Sequence, residues 1–430
     1  MTARPRTQLP PRVLPVLYFA VAHVALALAC LAVAIDPRGV SGFFYHARML
    51  GIVHLVTLGW ITASILGSLY IVGPIALRVW IPARWPDYAA FALVLIGVVG
   101  MVAHFWLQEY GGMAWSAITV GAGILIVGAH AVRRLRGASL PRAVSAHIVL
   151  AFVNIAGAAT TGVLMGFDKV YHFLPGFVMS NVFAHAHLAA IGWASMMVVG
   201  MAYRLLPMIL PAAMPKGPTL WISAVLLETG VCGLFVTLLV RSALVSVFAL
   251  IVVAGFAAFG VHVARMLRRP RPRPPGLSRA DPAVLHAAAS FLWLVVASAL
   301  GVWLTLAAPS SNTLRVAMAY GVFGLVGFLA QIVVGMEGRL LPVFTWYWAY
   351  ANTEYRGPVL SQHEMAWRYG RDLVFLLWLL GVPSLALGLA FDAVPFVSAG
   401  AWCLLAATIA DTINVARILR HAFTARPTPQ

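Results

Sequence analysis

A chain of 430 residues that is 62% hydrophobic and 10% charged, with a mean hydropathy of +0.92, cannot cover a soluble surface, which needs roughly 25% charged residues. The net charge of +17 invites a nucleic-acid partner, but the basic residues are spread over alternate connections between long apolar stretches. Composition and charge therefore exclude a soluble domain, and the expected partner is a lipid bilayer with no nucleic acid.

A helix needs ~20 mostly apolar residues to cross a bilayer. Twelve stretches meet that length, near 14–35, 47–76, 88–107, 113–132, 143–166, 179–208, 218–240, 243–265, 283–308, 315–342, 371–390 and 394–418. These runs are too long, and alternate too little, for membrane strands. The fold class read from them is an all-α integral membrane protein forming a single polytopic domain over 1–430. Arg4, Arg6 and Arg12, then Arg78 and Arg84, Arg133, Arg134, Arg136 and Arg142, Lys216, Arg265 to Arg279, and Arg417, Arg420 and Arg426 fall on one set of connections. The other set carries few, Arg38, Lys169, Arg241 and Arg315 among them. This positive-inside bias predicts cytoplasmic termini in a bacterial-type inner membrane. The Pro- and Arg-rich stretch at about 268–282 reads as a cytoplasmic linker beside anionic lipid. No secretory signal peptide is expected, because the first apolar stretch is long and lacks a small-residue cleavage site. Cys30, Cys232 and Cys403 stand singly within helices and read as core residues.

One stretch occurs three times. It begins at His54 (HLVTLGWITASILGSLYIVGP), at His187 (HLAAIGWASMMVVGMAYRLLP) and at Val322 (VFGLVGFLAQIVVGMEGRLLP). Each copy has a glycine followed by an aromatic (Gly59–Trp60, Gly192–Trp193, Gly327–Phe328), a second glycine (Gly67, Gly200, Gly335) and a closing proline (Pro74, Pro207, Pro342). The chain thus divides into three thirds of four helices, at about 13–135, 143–268 and 283–420. A secondary transporter built from two six-helix halves would repeat at half the chain instead.

The copies lie on the second, sixth and tenth helices, which run inward from the outer face, so His54 and His187 sit at matched depth. His185 is slightly shallower, and His46 lies at the outer mouth. Residues two apart on a helix differ by about 200°, so His185 and His187 face opposite sides; residues eight apart differ by about 80° net, so His46 and His54 share a broad face. Ionisable groups at membrane depth are costly and mark function, and neutral imidazole is a common ligand for metals and haem iron. The candidate cofactor-binding residues are His54, His185, His187, His46 and Arg48, the last as a partner for a haem propionate or a side chain snorkelling to the headgroups. His23, His147 and His286, on the first helix of each third, are expected to be repeat-related. His104, His130, His172, His262, His363 and His421 are expected to be solvated. Glu228 and Glu337 are expected either to relay protons or to be neutralised by neighbours such as Arg339. The connection FDKVYHFLPGF is expected to cap a site.

The run HAHLAAIGWASMMVVGMAYRLLP resembles the tenth helix of haem–copper oxidase catalytic subunits, most nearly the cbb-type oxidases and the nitric oxide reductases. In that family the first histidine of the His-x-His pair holds the high-spin haem and the second the low-spin haem; His185 and His187 match those positions. His54 is similar to the haem-ligating histidine that starts the family's second helix. The resemblance implies twelve helices in three pseudo-symmetric groups of four, haem iron held by His54, His185 and His187, and electrons drawn from quinol or a cytochrome c-type donor for reduction of nitric oxide or oxygen.

The departures are equally specific. Here the His-x-His lies on the sixth helix, and the tenth-helix copy has Val322 at the ligand position. The family's copper-binding histidines have no counterpart; the seventh helix, WISAVLLETGVCGLF, contains none. Because matched positions on threefold-related helices face equivalent pores, His185 is expected to face the pore that His54 faces. The expected cofactor is one b-type haem between the second and sixth helices, held by His54 and His185. Pairing of His54 with His187 is the alternative, and a second haem on His187 and a bound copper stay open. Two functions follow: an oxidoreductase or electron-transfer protein, or a haem- or copper-handling or gas-sensing membrane protein without turnover.

Overall fold

The computed structural model describes residues 9–272, 281–350, 360–362 and 364–424. His363, Arg4, Arg6, Arg426 and most of the Pro- and Arg-rich linker lie outside the described residues. Among the described residues, twelve helices are long and apolar enough to cross a membrane. They are α1 (Val13–Ile35), α2 (Ala47–Leu77), α3 (Trp85–Leu107), α4 (Tyr110–Leu135), α5 (Arg142–Tyr171), α6 (Val178–Ile209), α7 (Leu220–Leu239), α8 (Val245–Arg268), α9 (Pro282–Leu306), α10 (Ser311–Tyr350), α11 (Tyr369–Ala390) and α12 (Val394–Phe423). Among the described residues the only β-type pairing is an isolated bridge between Ala212 and Pro270. The chain is a multi-pass helical membrane protein.

Local chemistry sets the helix ends. Asp281 caps α9 by accepting from Ala283 N at 3.0 Å, with Pro282 in the first turn, where its missing N–H costs nothing. The α3 start is held by Asp87, whose Oδ2 accepts from Arg84 N at 2.9 Å. Gln108 and His172 end α3 and α5 in the left-handed region, at φ 60° and 52°, breaking the helix within one residue. Unlike the 315–342 stretch read from hydropathy, α10 continues through Pro342 to Tyr350.

Three helices, α2, α6 and α10, occupy the centre, and the others close a ring around them in the order α1, α3, α4, α5, α7, α8, α9, α11, α12 and back to α1. Each central helix widens to π-type turns where its repeated stretch begins: Leu55–Thr62, Leu188–Ser195 and Val322–Ala330. The three wide segments touch one another on the bundle axis. Two tryptophans lock them together, Trp193 Nε1 donating to Thr62 Oγ1 at 3.0 Å and Trp60 Nε1 donating to Ala330 O at 3.2 Å. The third copy has Phe328 at the same place, which has no N–H to donate, so the cycle of bonds stays open between α10 and α6.

The second glycine of each copy aligns the surrounding helices. A Cβ on Gly67, Gly200 or Gly335 would fall 2.7–2.8 Å from the Cβ of Tyr18, His147 and His286 respectively. His147 and His286 are therefore equivalent, with Tyr18 as their counterpart in the first third. His23 lies five residues further along α1 and does not belong to the set, which corrects the sequence expectation. His147 is buried, donates from Nδ1 to Ala143 O at 2.7 Å, and meets Ser223 Oγ at 3.1 Å.

Other expectations also change. His262 is buried, and His130 bonds the buried Asp87 carboxylate at 3.0 Å, so neither is simply solvated. Cys232 is exposed on the outside of the bundle, whereas Cys30 is in the core. Arg339 does not neutralise Glu337; it faces Asp281 at 4.0 Å.

Candidate functional site

Between the central helices and the ring lies an apolar cavity of about 890 Å³, near the top of the ~300–1,000 Å³ range of ligand pockets. Its walls bring together His54, His185 and His187. The register of the three stretches divides the lining into three parts, or lobes, one between each two central helices, and assigns a pair of positions to each. A residue that starts one repeated stretch faces the residue two before the start of the next. The pairs are His54 with His185, His187 with Tyr320, and Val322 with Ile52, all on the cavity wall. Two lobes thus carry groups able to ligate or to hydrogen-bond, and the third is aliphatic.

The imidazoles are fixed by the backbone. His54 Nδ1 lies 2.7 Å from Leu50 O, His187 Nδ1 2.8 Å from Phe183 O, and His185 Nδ1 2.9 Å from Ala158 O. A carbonyl can only accept, so each Nδ1 carries the proton and each Nε2 presents its lone pair. This is the orientation that a metal-ligating histidine requires. At His187 the lone pair is engaged, accepting from Tyr320 OH at 3.1 Å, with the two rings stacked 6.0 Å apart. Nε2 of His54 and of His185 has no hydrogen-bond partner among the described residues, and the two side chains lie within electrostatic range of each other. The His54 ring is steadied by Phe105, at 5.1 Å between centroids.

The His185 ring occupies room that α5 leaves by having no side chain at Gly162, where a Cβ would stand 3.1 Å from His185 Cε1. Gly162→Leu is expected to push the ring from this seat, so that the content of any haem held by His185 would fall several-fold while the helical circular-dichroism spectrum stays unchanged; haem per chain, measured on purified protein, checks it.

The remaining candidates sit at the end of the bundle where α2 begins. Arg48 is exposed and pairs with Asp36 at 2.9 Å, away from the cavity wall. The cations that border the cavity are Lys169 and Arg241. Lys169 Nζ sits 4.7 Å from the centroids of both Tyr45 and Tyr110, and Arg241 lies 5.5 Å from Phe177. Lys169 and Phe177 belong to the FDKVYHFLPGF connection, so this segment does border the cavity.

His46 caps α2, its Nδ1 accepting from Met49 N at 3.3 Å. Partial burial, and then the Arg48 guanidinium, hold its imidazole below the ordinary value of 6.5, against the opposing pull of Asp36. The fold therefore resists protonation here. The cap contributes fully above about pH 6.5, and its contribution is lost as pH falls through the lowered folded value. His46→Ala is expected to cost about 0.5–1 kcal/mol at pH 8 and less at pH 5, read from thermal midpoints at the two pH values.

The lining suits a haem. Two imidazoles with free Nε2 lone pairs line one large apolar space, and the ammonium of Lys169 and the guanidinium of Arg241 on the same lining complement carboxylates such as propionates. Comparison with protein-family models and with curated proteins returned no match to this chain. Sequence reasoning missed Tyr320, although the repeat register places it at the position of His185. It also missed Asp411, a lone carboxylate within α12 and so a residue whose membrane depth marks it.

Proposed function

We propose that this protein binds one b-type haem between α2 and α6, which the imidazoles of His54 and His185 would hold, and uses it in electron transfer or in the chemistry of a small oxidant such as nitric oxide or oxygen. The observation that carries the reading is the contrast among three matched imidazoles. All have Nδ1 tied to a carbonyl, yet only His54 and His185 keep Nε2 without a protein partner, and both line one lobe. The resemblance of the repeated stretch to haem–copper oxidase helices, the π turns at three corresponding places and the ring of nine helices around three support a threefold four-helix architecture of that superfamily. The basic connections support cytoplasmic termini in an inner membrane, which puts the haem lobe in the outer half of the bilayer, within reach of quinol or a cytochrome c-type donor.

A haem bound there supplies a one-electron couple whose potential depends on its ligands and burial. The protein's part is to hold both imidazoles by their Nδ1 protons, to exclude water with aliphatic walls, and to place Lys169 and Arg241 on the same lining. Tyr320 gives the neighbouring lobe a hydroxyl hydrogen-bonded to His187, a donor where the first lobe has a ligand.

A non-catalytic haem-handling or gas-sensing role is the second reading, favoured by the absence of copper-ligand histidines beside the cavity. A reduced-minus-oxidised spectrum with carbon monoxide added to the reduced protein separates an electron carrier from an enzyme or a sensor. Two strong imidazoles predict a low-spin haem with little carbon monoxide binding, as for an electron carrier. A large carbon monoxide shift would point to an open iron position and to an enzyme or sensor. No haem band at all would overturn the proposal.

A further inference from the structure

Deep in the bundle, level with Ser64 near the middle of α2, α1, α10 and α12 bring three ionisable side chains together: His23, Glu337 and Asp411. All are buried, at 4%, 1% and 5% exposure. His23 Nε2 lies 3.6 Å from Glu337 Oε2 and 3.6 Å from Asp411 Oδ2, and one ligand atom from each residue lies within 4.8 Å of the others. None of these three atoms has a hydrogen-bond partner. Asp87 shows what this fold does with a buried carboxylate that is merely structural: it accepts from Tyr70 OH at 2.8 Å, from His130 Nδ1 at 3.0 Å and from Arg84 N at 2.9 Å.

We propose that His23, Glu337 and Asp411 form a binding site for one divalent first-row transition-metal cation of the zinc or manganese kind. Geometry is the first argument. Charge-assisted N–H···O bonds close to about 2.7–2.9 Å, well short of 3.6 Å. Ligand atoms about 2.1 Å from a common ion in tetrahedral directions stand about 3.4 Å apart. The observed separations match ligands around an ion better than partners in a hydrogen bond.

Charge is the second argument. Two carboxylates with one imidazolium leave a net negative charge inside the membrane, where uncompensated charge is costly. Two carboxylates and a neutral imidazole around a divalent cation sum to zero. The outer partners are the third. His23 Nδ1 donates to Phe19 O at 2.9 Å, which leaves the Nε2 lone pair facing the two carboxylates. Ser64 Oγ donates to the other Glu337 oxygen at 3.2 Å. Such contacts orient ligands at metal sites. A small crevice lined by His286, Arg371 and Asn414 also borders Asp411.

The site is independent of the haem, and its test can be read without it. Purified full-length protein is dialysed against chelator and then titrated with Zn²⁺ alone and with Mn²⁺ alone, alongside Asp411→Asn and Glu337→Gln, which preserve volume and remove charge. The expected result is about one equivalent of metal bound by the wild type, with affinity at least tenfold weaker in each variant. Failure of the wild type to bind either ion stoichiometrically, or equal binding by the variants, overturns the proposal and leaves a shared proton as the content of the triad. Should a variant fail to fold, the wild type alone decides: Zn²⁺ or Mn²⁺ must raise its thermal midpoint in a concentration-dependent way, and a constant midpoint for both ions overturns the site.

Discussion

Replacing either His54 or His185 by alanine is expected to strip most of the haem from the purified protein, while His187→Ala leaves haem content close to that of the wild type. The difference comes from hydrogen bonds rather than depth, since all three imidazoles line the same cavity. His187 Nε2 accepts from Tyr320 OH, so ligation there would first have to break that bond. His54 and His185 would break nothing. Losing only an outer partner of a metal ligand costs roughly 10–100-fold in affinity, and losing the ligand itself should cost at least as much. Haem per chain and the low-spin visible spectrum are the readouts. Loss of haem from His187→Ala with retention in His185→Ala would instead select the pairing of His54 with His187.

The second large effect is on stability. In the metal-free protein, where the imidazole is the group beside both carboxylates that can carry a balancing proton, His23→Leu leaves Glu337 and Asp411 as two stranded carboxylates deep in the bundle. Breaking a buried charge cluster by deleting one partner costs about 3–5 kcal/mol, whereas an unremarkable substitution stays within about 0.5 kcal/mol. Adding Asp411→Asn to His23→Leu should recover a large part of the loss, because removing one of the two stranded charges relieves the other. Residues sharing one cluster are expected to be strongly non-additive in this way. Thermal midpoints of the two single variants and the double variant in one detergent measure it. A His23→Leu protein as stable as the wild type would show that the triad carries no net charge to be balanced.

The features legible in the sequence were those written in periodicity and spacing. Twelve apolar stretches become twelve helices because backbone groups in a bilayer must be satisfied within the segment, so helix number follows from hydropathy alone. The three repeated stretches fall on the three central helices, and their glycines mark where α1, α5 and α9 press against them. The register argument that set His185 on the side of His54 needed only the helical repeat. Side-chain partners were not legible. Arg48 lies close to His46 in sequence, yet Asp36 on the preceding loop draws it to the surface. His23 looked like a sibling of His147 and His286, but helix register, which glycine contacts reveal and helix number does not, makes Tyr18 the sibling. The cluster of His23, Glu337 and Asp411 joins the first, tenth and twelfth helices, and no local pattern announces a meeting of such distant segments. The π turns are hidden for a related reason. Three segments crowding on one axis accommodate them, and Trp60 and Trp193 hold them across helices rather than along one.

Whether His54 and His185 hold a haem is read from the pyridine haemochrome of the purified full-length protein, set against its chain concentration. The expected result is a haem b spectrum at about one haem per chain, with sharp low-spin bands in the reduced intact protein. Protein prepared with haem freely supplied that shows no haemochrome, while still folded by circular dichroism, would contradict it.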